Sequence, residues 1–225
     1  NVMVGEHGEV MLLDWGLALR GAWRDGRWTS DELDAASACA GTPAYLAPEM
    51  ARADPATIGP GSDVYLVGAV LYEFLTGRAP HRAGGVRASV LAAAANRPAP
   101  PGEDAPQRLR AAAARAMEDD PAARGAIVDL REDLRAWLHR SRAEGEAAAA
   151  LAEARRHQAE TAVPDLARAY AAFAAAAEAT RRAIDLADPQ GGRDLLAAIL
   201  VAHGERALVA GDLLPAGLLA DEAGA

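Results

Sequence analysis

Residues 59–80 read "GPGSDVYLVGAVLYEFLTGRAP". The stretch carries helix punctuation at both ends: Ser62 or Asp63 to cap the start, and Gly77 followed by Pro80 to stop it. Its body is apolar on nearly every face, and such a helix belongs in a core rather than on a surface. The apolar run from Val64 to Leu75 contains Glu73 and falls short of the roughly 18 residues a membrane span needs. The rest of the chain is read outward from this buried helix.

Downstream, helical periodicity returns over Val86 to Ala95, Gln107 to Glu118 and Ile127 to Arg140. The Pro-rich "RPAPPGEDAP" (97–106) and the acidic "EDDPAARG" (118–125) separate these helices. Beyond Ser141 the composition shifts to Ala, Glu and Arg, with breaks at Pro164, at "DPQGG" (188–192) and at Gly211-Asp212. The chain therefore divides into residues 1–140 and an all-helical region, 141–225. Within the latter, "LVAHGERALVAGDLLPAGLLADEA" (200–223) reads as helix, Gly-Asp turn, helix. "DLARAYAAFAAAAEATRRAIDLADP" (165–189) is a rough second copy, similar to a unit of a tetratricopeptide-like array. A charged, Ala-rich helical linker or coiled coil is the alternative.

Upstream, residues 17–46 form a long mixed segment holding Trp23, Trp28 and a Thr29-Ser30-Asp31-Glu32 cluster. It reads as irregular, with room for a helical turn, and loops of that length in compact domains are functional or disordered. Before it, Val2-Met3-Val4 and Val10 to Leu13 flank "GEHGE", which predicts a hairpin. The second run ends in "LLDWG": a carboxylate, Asp14, stands where the strand should turn. It either begins a turn before Gly16 or is an acid delivered by a rigid strand to an ion.

The 225 residues, 51% hydrophobic, suffice for one or two domains with real cores. A net charge of −9 without a basic face excludes a nucleic-acid binder. All 23 basic residues are Arg; the chain has no Lys. The single Cys39 forbids an internal disulfide and suggests a reducing compartment, so a cytoplasmic location is expected. Because the chain opens at Asn1 in the middle of a pattern, it reads as a C-terminal fragment, in which a membrane link further upstream is not visible.

The order of motifs resembles the C-terminal lobe of a eukaryotic-type (bacterial) Ser/Thr protein kinase. "NVMV" (1–4) resembles the end of the catalytic loop. "DWG" (14–16) stands where that family has Asp-Phe-Gly, and "GTPAYLAPE" (41–49) resembles the end of its activation segment. "SDVYLVGAVLYEFLTGRAPH" (62–81) resembles the central helix, and "DDPAAR" (119–124) the approach to the last helix. The fold expected is mainly α: a kinase-like C-lobe, made of a short β hairpin plus helices, followed by an all-α region.

The resemblance implies ATP and Mg²⁺ as cofactors and protein hydroxyls as substrates. It assigns Asp14 to the Mg²⁺ that bridges the nucleotide phosphates and Asn1 to a second ion; one carboxylate and one amide oxygen suit a hard cation that keeps some of its water. Trp15 would replace the family's Phe as an apolar anchor. Met3 would lie under the adenine ring, or be plain strand core. Thr42 would border the acceptor site, or simply precede Pro43 in a turn. Glu49 would pair with Arg124 out of water, and Asp63 would fix the catalytic loop, or serve only as an acid in a helix first turn. Thr29, Ser30 and Ser37 are candidate phosphorylation sites whose phosphates would order the segment through Arg contacts.

With no Gly-rich loop, no Lys and no catalytic Asp in it, the chain alone is expected to be inactive. The alternative to an active parent enzyme is a pseudokinase or signalling scaffold that binds a protein partner through its helical tail.

Overall fold

The structure is a computed structural model that describes residues 1–24, 27–30, 38–212, 219, 222 and 223. The described residues are mainly helical and form two compact units, Asn1–Arg135 and Ala136–Ala225.

The first unit opens with the antiparallel hairpin β1 (Val2–Val4) and β2 (Val10–Leu12), in which Met3 faces Met11. Gly8, at φ 82°, supplies the left-handed backbone its turn requires. A second antiparallel hairpin, β3 (Ala22–Arg24) and β4 (Arg27–Thr29), pairs Trp23 with Trp28. It lies inside the segment read as irregular. The Asp25-Gly26 pair between two β-favouring runs was the available signal, since that dipeptide is the preferred hairpin connection.

Four helices follow: α1 (Pro48–Ala51), α2 (Pro60–Thr76), α3 (Val86–Ala95) and α4 (Gln107–Ala116). Helix α2 starts two residues before Ser62, the earlier of the two expected caps. Gly59 is the residue before its first turn, and Ser62 reaches back to accept a hydrogen bond from the Gly59 N–H at 3.2 Å. Gly77, left-handed at φ 71°, closes the helix with its N–H on the Glu73 carbonyl.

One face of α2 is the centre of the unit. Tyr65, Ala69 and Tyr72 pack with Ala47 and Met117, while Val64 packs with Ala112, Ala116 and Leu130. The opposite face is not core, contrary to the reading of α2 as buried all round. Val67, Val70 and Phe74 are exposed, Phe74 at 84%. Apolar composition alone does not say which neighbours are present to cover a face.

The helix expected over Ile127 to Arg140 is longer: α5 runs unbroken from Ile127 to Glu160. Its second half is rich in Ala, Glu and Arg, all good helix formers, with Gly145 the weakest helix former among them. The second unit adds α6 (Leu166–Ala187), capped by Asp165 accepting from the Arg168 N–H at 3.1 Å, and α7 (Gly192–Val209). Phe173, Ala176 and Ala177 of α6 meet Ile199 and Leu200 of α7, and Ala183 packs on Ala147 and Ala150 of α5. The break expected at "DPQGG" is there, with Asp188 and Gly191 both left-handed. The helix expected after Gly211-Asp212 begins outside the described residues. No described helix is long and apolar enough to cross a membrane.

Gly68 lets α2 approach the end of α4 closely. A Cβ there would lie 2.7 Å from the Ala116 Cβ and 3.1 Å from the Met117 Cγ. Gly68→Ala is therefore expected to push the two helices apart and destabilise the unit by about 1–3 kcal/mol despite its better helix propensity, measured by urea denaturation. Unchanged or raised stability would contradict this packing.

Candidate functional site

The hairpin explains how Asn1 and Asp14 come together. Val2 pairs with Leu12, and one step beyond the ladder the Leu13 N–H donates to the Asn1 carbonyl at 2.8 Å. The chain then turns sharply at Asp14, whose backbone is left-handed at φ 60°, a conformation Asp tolerates better than most residues. Its carboxylate accepts a hydrogen bond from the Asn1 Nδ2 at 3.2 Å. The acid at the strand end thus both turns the chain and presents a side chain beside the amide.

Trp15, which follows in a single 3-10 turn, does not act as an apolar anchor. Its indole N–H donates to the Leu12 carbonyl at 3.0 Å, and its ring is 67% exposed. Met3 is likewise 51% exposed, so its reading as plain strand core is not met. Both faces of β1 and β2 lie in solvent, and a two-stranded hairpin gives its side chains no core of its own.

Along the segment that follows, Thr29 Oγ1 donates to the Ala22 carbonyl at 3.4 Å and Ser30 Oγ to the Arg20 carbonyl at 2.6 Å. Ser37 lies outside the described residues. Trp28 lies close to Gly59, where a Cβ would sit 3.4 Å from its ring. At the end of the segment, Thr42 is exposed and starts a turn closed by the Tyr45 N–H on the Thr42 carbonyl at 3.0 Å. Two further bonds hold this turn. The Ala44 carbonyl accepts from the His81 N–H at 3.0 Å, and Tyr45 Oη donates to the Glu73 carboxylate at 2.5 Å. The hydrogen bond to Glu73, and then burial, raise the Tyr45 pKa.

Glu49 and Arg124 meet from 75 positions apart. Both guanidinium Nη atoms reach the two carboxylate oxygens at 2.7 Å, a bidentate pair with both side chains almost wholly out of water. Ser62 Oγ donates to the same carboxylate at 2.7 Å. The remaining Arg124 donors go to the carbonyls of Gly61, Asp119 and Glu118 at 2.9, 3.1 and 2.8 Å, so all five N–H groups have acceptors. Its guanidinium also lies 4.8 Å from the centre of the Tyr65 ring.

Asp63 projects from the first turn of α2 and is exposed. Desolvation by the protein around its carboxyl raises its pKa. Among the described residues, no hydrogen bond or ion pair links Met3, Thr42 or Asp63 to the Asn1–Asp14 or Glu49–Arg124 pairs. Sequence reading passed over Arg52 and Asp119, a second bidentate pair at 2.7 and 3.0 Å, in which Arg52 holds the Asp119 carboxyl below the usual carboxylate range. It also passed over Tyr65, His81 and Asn96. None of these stands in a local pattern that names its partner.

This lobe, with an acid and an amide at a hairpin end and a buried Arg–Glu clamp behind the Thr42–Tyr45 turn, defines a class. Residues 1–130, more than half of the chain, match the protein kinase domain family, and the chain belongs to it. Among curated proteins it is similar to the serine/threonine-protein kinase PknD of Protochlamydia amoebophila, with 35% identity over 94 residues, covering 37% of this chain and 9% of that protein. The serine/threonine-protein kinase PknB of Mycolicibacterium smegmatis is 40% identical over 80 residues, 36% of this chain and 12% of its own. A PknD of Chlamydia felis is 30% identical over 158 residues, 63% of this chain and 16% of its own. The chain thus spans less than a fifth of the length of these relatives.

Removing one partner of the buried pair strands the other charge. Glu49→Ala is expected to cost about 3–5 kcal/mol, and the double variant with Arg124→Ala clearly less than the sum of the two singles, in a denaturation cycle. Additive costs would show that the two groups do not interact.

Proposed function

We propose that this chain is part of a protein Ser/Thr kinase that transfers the γ-phosphoryl group of ATP to hydroxyls of protein substrates. The observation that carries the reading is the Asn1–Asp14 pair at the hairpin end of a chain that belongs to the protein kinase family.

The donor set suits Mg²⁺. Asn1 and Asp14 offer an amide oxygen and carboxylate oxygens on exposed, adjacent side chains, and Mg²⁺ is typically held by one or two carboxylates, waters and substrate phosphates. Among the described residues, no cluster of three or more His, Cys, Asp or Glu side chains offers a competing site. When bound, the ion neutralises charge on the transferring phosphoryl group. The residues of this chain have positioning roles. Asp14, fixed by its left-handed turn, and Asn1, fixed by the strand ladder, present the oxygens. Met3 lies under the adenine. The Thr42–Tyr45 turn borders the acceptor hydroxyl, with Glu49 and Arg124 holding the backbone behind it. Asp63 steadies the catalytic loop. Phosphoryl transfer depends on such positioning and charge stabilisation more than on covalent chemistry by the protein.

The chain contains no Lys, so the lysine that grips the nucleotide phosphates comes from elsewhere in the whole protein. The exposed stripe of Val67, Val70 and Phe74 and the bare hairpin faces are where further kinase-domain residues pack. Thr29, Ser30 and Ser37 are the candidate phosphorylation sites of the activation segment, and the helical tail, residues 141–225, is a candidate surface for a protein partner. On this reading the kinase domain works in the cytoplasm, where ATP is available.

The whole protein should transfer labelled γ-phosphate to a generic protein acceptor, and Asp14→Asn should lower that rate at least a hundredfold, the scale of losing one charge-stabilising group. The 225-residue chain alone should give no transfer. Activity that survives Asp14→Asn would remove the metal role. A whole protein that binds nucleotide without transferring phosphate would instead be a pseudokinase scaffold.

A further inference from the structure

A buried polar relay runs through the first unit and takes no part in the roles assigned above. His81, in the segment between α2 and α3, is 2% exposed, and its Nε2 lies 2.6 Å from Tyr65 Oη. Tyr65 Oη lies 2.6 Å from Asn96 Oδ1, and Asn96 Nδ2 donates to the Met117 carbonyl at 3.0 Å. The direction of each bond follows from the inventory of hydrogens. The Met117 carbonyl can only accept, which fixes the Asn96 amide with its nitrogen toward Met117 and its oxygen toward Tyr65. Tyr65 has a single proton, and two oxygens 2.6 Å apart require it between them, so it goes to Asn96. The proton between His81 and Tyr65 must then belong to the imidazole. His81 is the Nε2–H form with a bare Nδ1.

The same residue holds the turn at the end of the activation segment, because its backbone N–H donates to the Ala44 carbonyl at 3.0 Å. We propose that His81 is a positioning residue for the Thr42–Tyr45 turn: its neutral Nε2–H imidazole, fixed through Tyr65 and Asn96 to the Met117 backbone, anchors the amide that holds Ala44. That this turn borders an acceptor hydroxyl rests on the kinase reading; the latch itself does not.

The surroundings give an imidazolium no support. Among the described residues, the charged groups that act on Tyr65 are Arg124, Glu49 and Asp119, and each carboxylate is already bound by an arginine, Glu49 by Arg124 and Asp119 by Arg52; Arg82, next to His81 in the chain, is itself a cation. Burial accordingly lowers His81 from 6.5 to about 4. The unfolded chain therefore takes up the proton first as pH falls. The contribution of neutral His81 is complete above about pH 6.5 and is lost between there and about pH 4, where it amounts to roughly a hundredfold or more in the folding equilibrium.

The test uses the 225-residue chain and needs no kinase activity, so its failure and the failure of the kinase reading are separate results. Long-range ¹H–¹⁵N spectra at pH 7 should show His81 as the Nε2–H tautomer; an Nδ1–H form would overturn the relay. Amide exchange at residue 81, taken relative to a core amide of α2, reads the latch, because every variant keeps that N–H. His81→Gln, whose amide nitrogen can replace Nε2–H, should retain the relative protection. His81→Phe, which keeps the bulk without the donor, should lower it about tenfold. Both variants should also lose the acid-dependent part of the fall in thermal midpoint between pH 6.5 and 4. Equal relative protection in wild type and His81→Phe, or an unchanged pH profile in both variants, would overturn the positioning role.

Discussion

Arg124 is the point on which the first unit is built. Its guanidinium binds Glu49 through two bonds of 2.7 Å and caps three carbonyls, with every N–H used and no water contact. A buried ion pair is weak evidence for net stability, because desolvation offsets most of the attraction. Its effect is one of geometry. A planar fork satisfied on every edge admits one arrangement of the segments that supply its partners. Those partners come from α1, from the start of α2 and from Glu118-Asp119, just before the 3-10 turn Pro121–Arg124 that carries the arginine itself. Ser62 joins the cluster while also closing the first turn of α2, so the helix start and the ion pair are fixed by the same hydroxyl.

Around this clamp the unit is rigid on one side and open on the other. Tyr65 carries the arginine on its ring and, through its hydroxyl, the relay to His81, Asn96 and Met117. The Thr42–Tyr45 turn is fastened to the same frame by His81 and Glu73. Among the described residues, the hydrogen bonds of the Asn1–Asp14 hairpin are those of its own ladder and of side chains within it, and Met3 and Trp15 lie in solvent. Within one lobe, the residues that set the backbone are buried and cross-linked, while Asn1, Met3 and Asp14 stand on an exposed hairpin.

The second unit is held differently. Its core consists of Ala faces with a few large residues, Phe173, Ile199 and Leu200, and His203 stacks on Phe173 at 4.8 Å. Small side chains let α6 and α7 approach closely, while Arg206, donating to the Val163 carbonyl at 2.9 Å, ties α7 to the connection before α6. Helix-forming composition determines the elements here, and Pro164, Asp188 and Gly191 determine where they stop.

Much of this protein was legible in its sequence, because much of it is local. Gly and Pro punctuation located the ends of α2, α3 and α4 to within two or three residues, and "GEHGE" marked the hairpin that places Asp14 beside Asn1, since a hairpin's register is set by its turn. The Asp-Gly dipeptide at 25–26 was a sequence signal for the second hairpin, but the aromatic and acidic residues around it obscured the strand pattern. The spacing of Glu49 and Arg124 carries no local signal, and their meeting was expected only through resemblance to a family. Tertiary structure alone decided that α2 has an open face, that α5 runs on to Glu160, that Trp15 hangs in solvent by its indole N–H, and that His81, Tyr65 and Asn96 share one buried relay. The physical reason is the same in each case. Propensity and capping act over a few residues, whereas burial and hydrogen-bond partnership depend on which surfaces arrive from elsewhere in the chain, and a residue's own neighbours in sequence do not specify those surfaces.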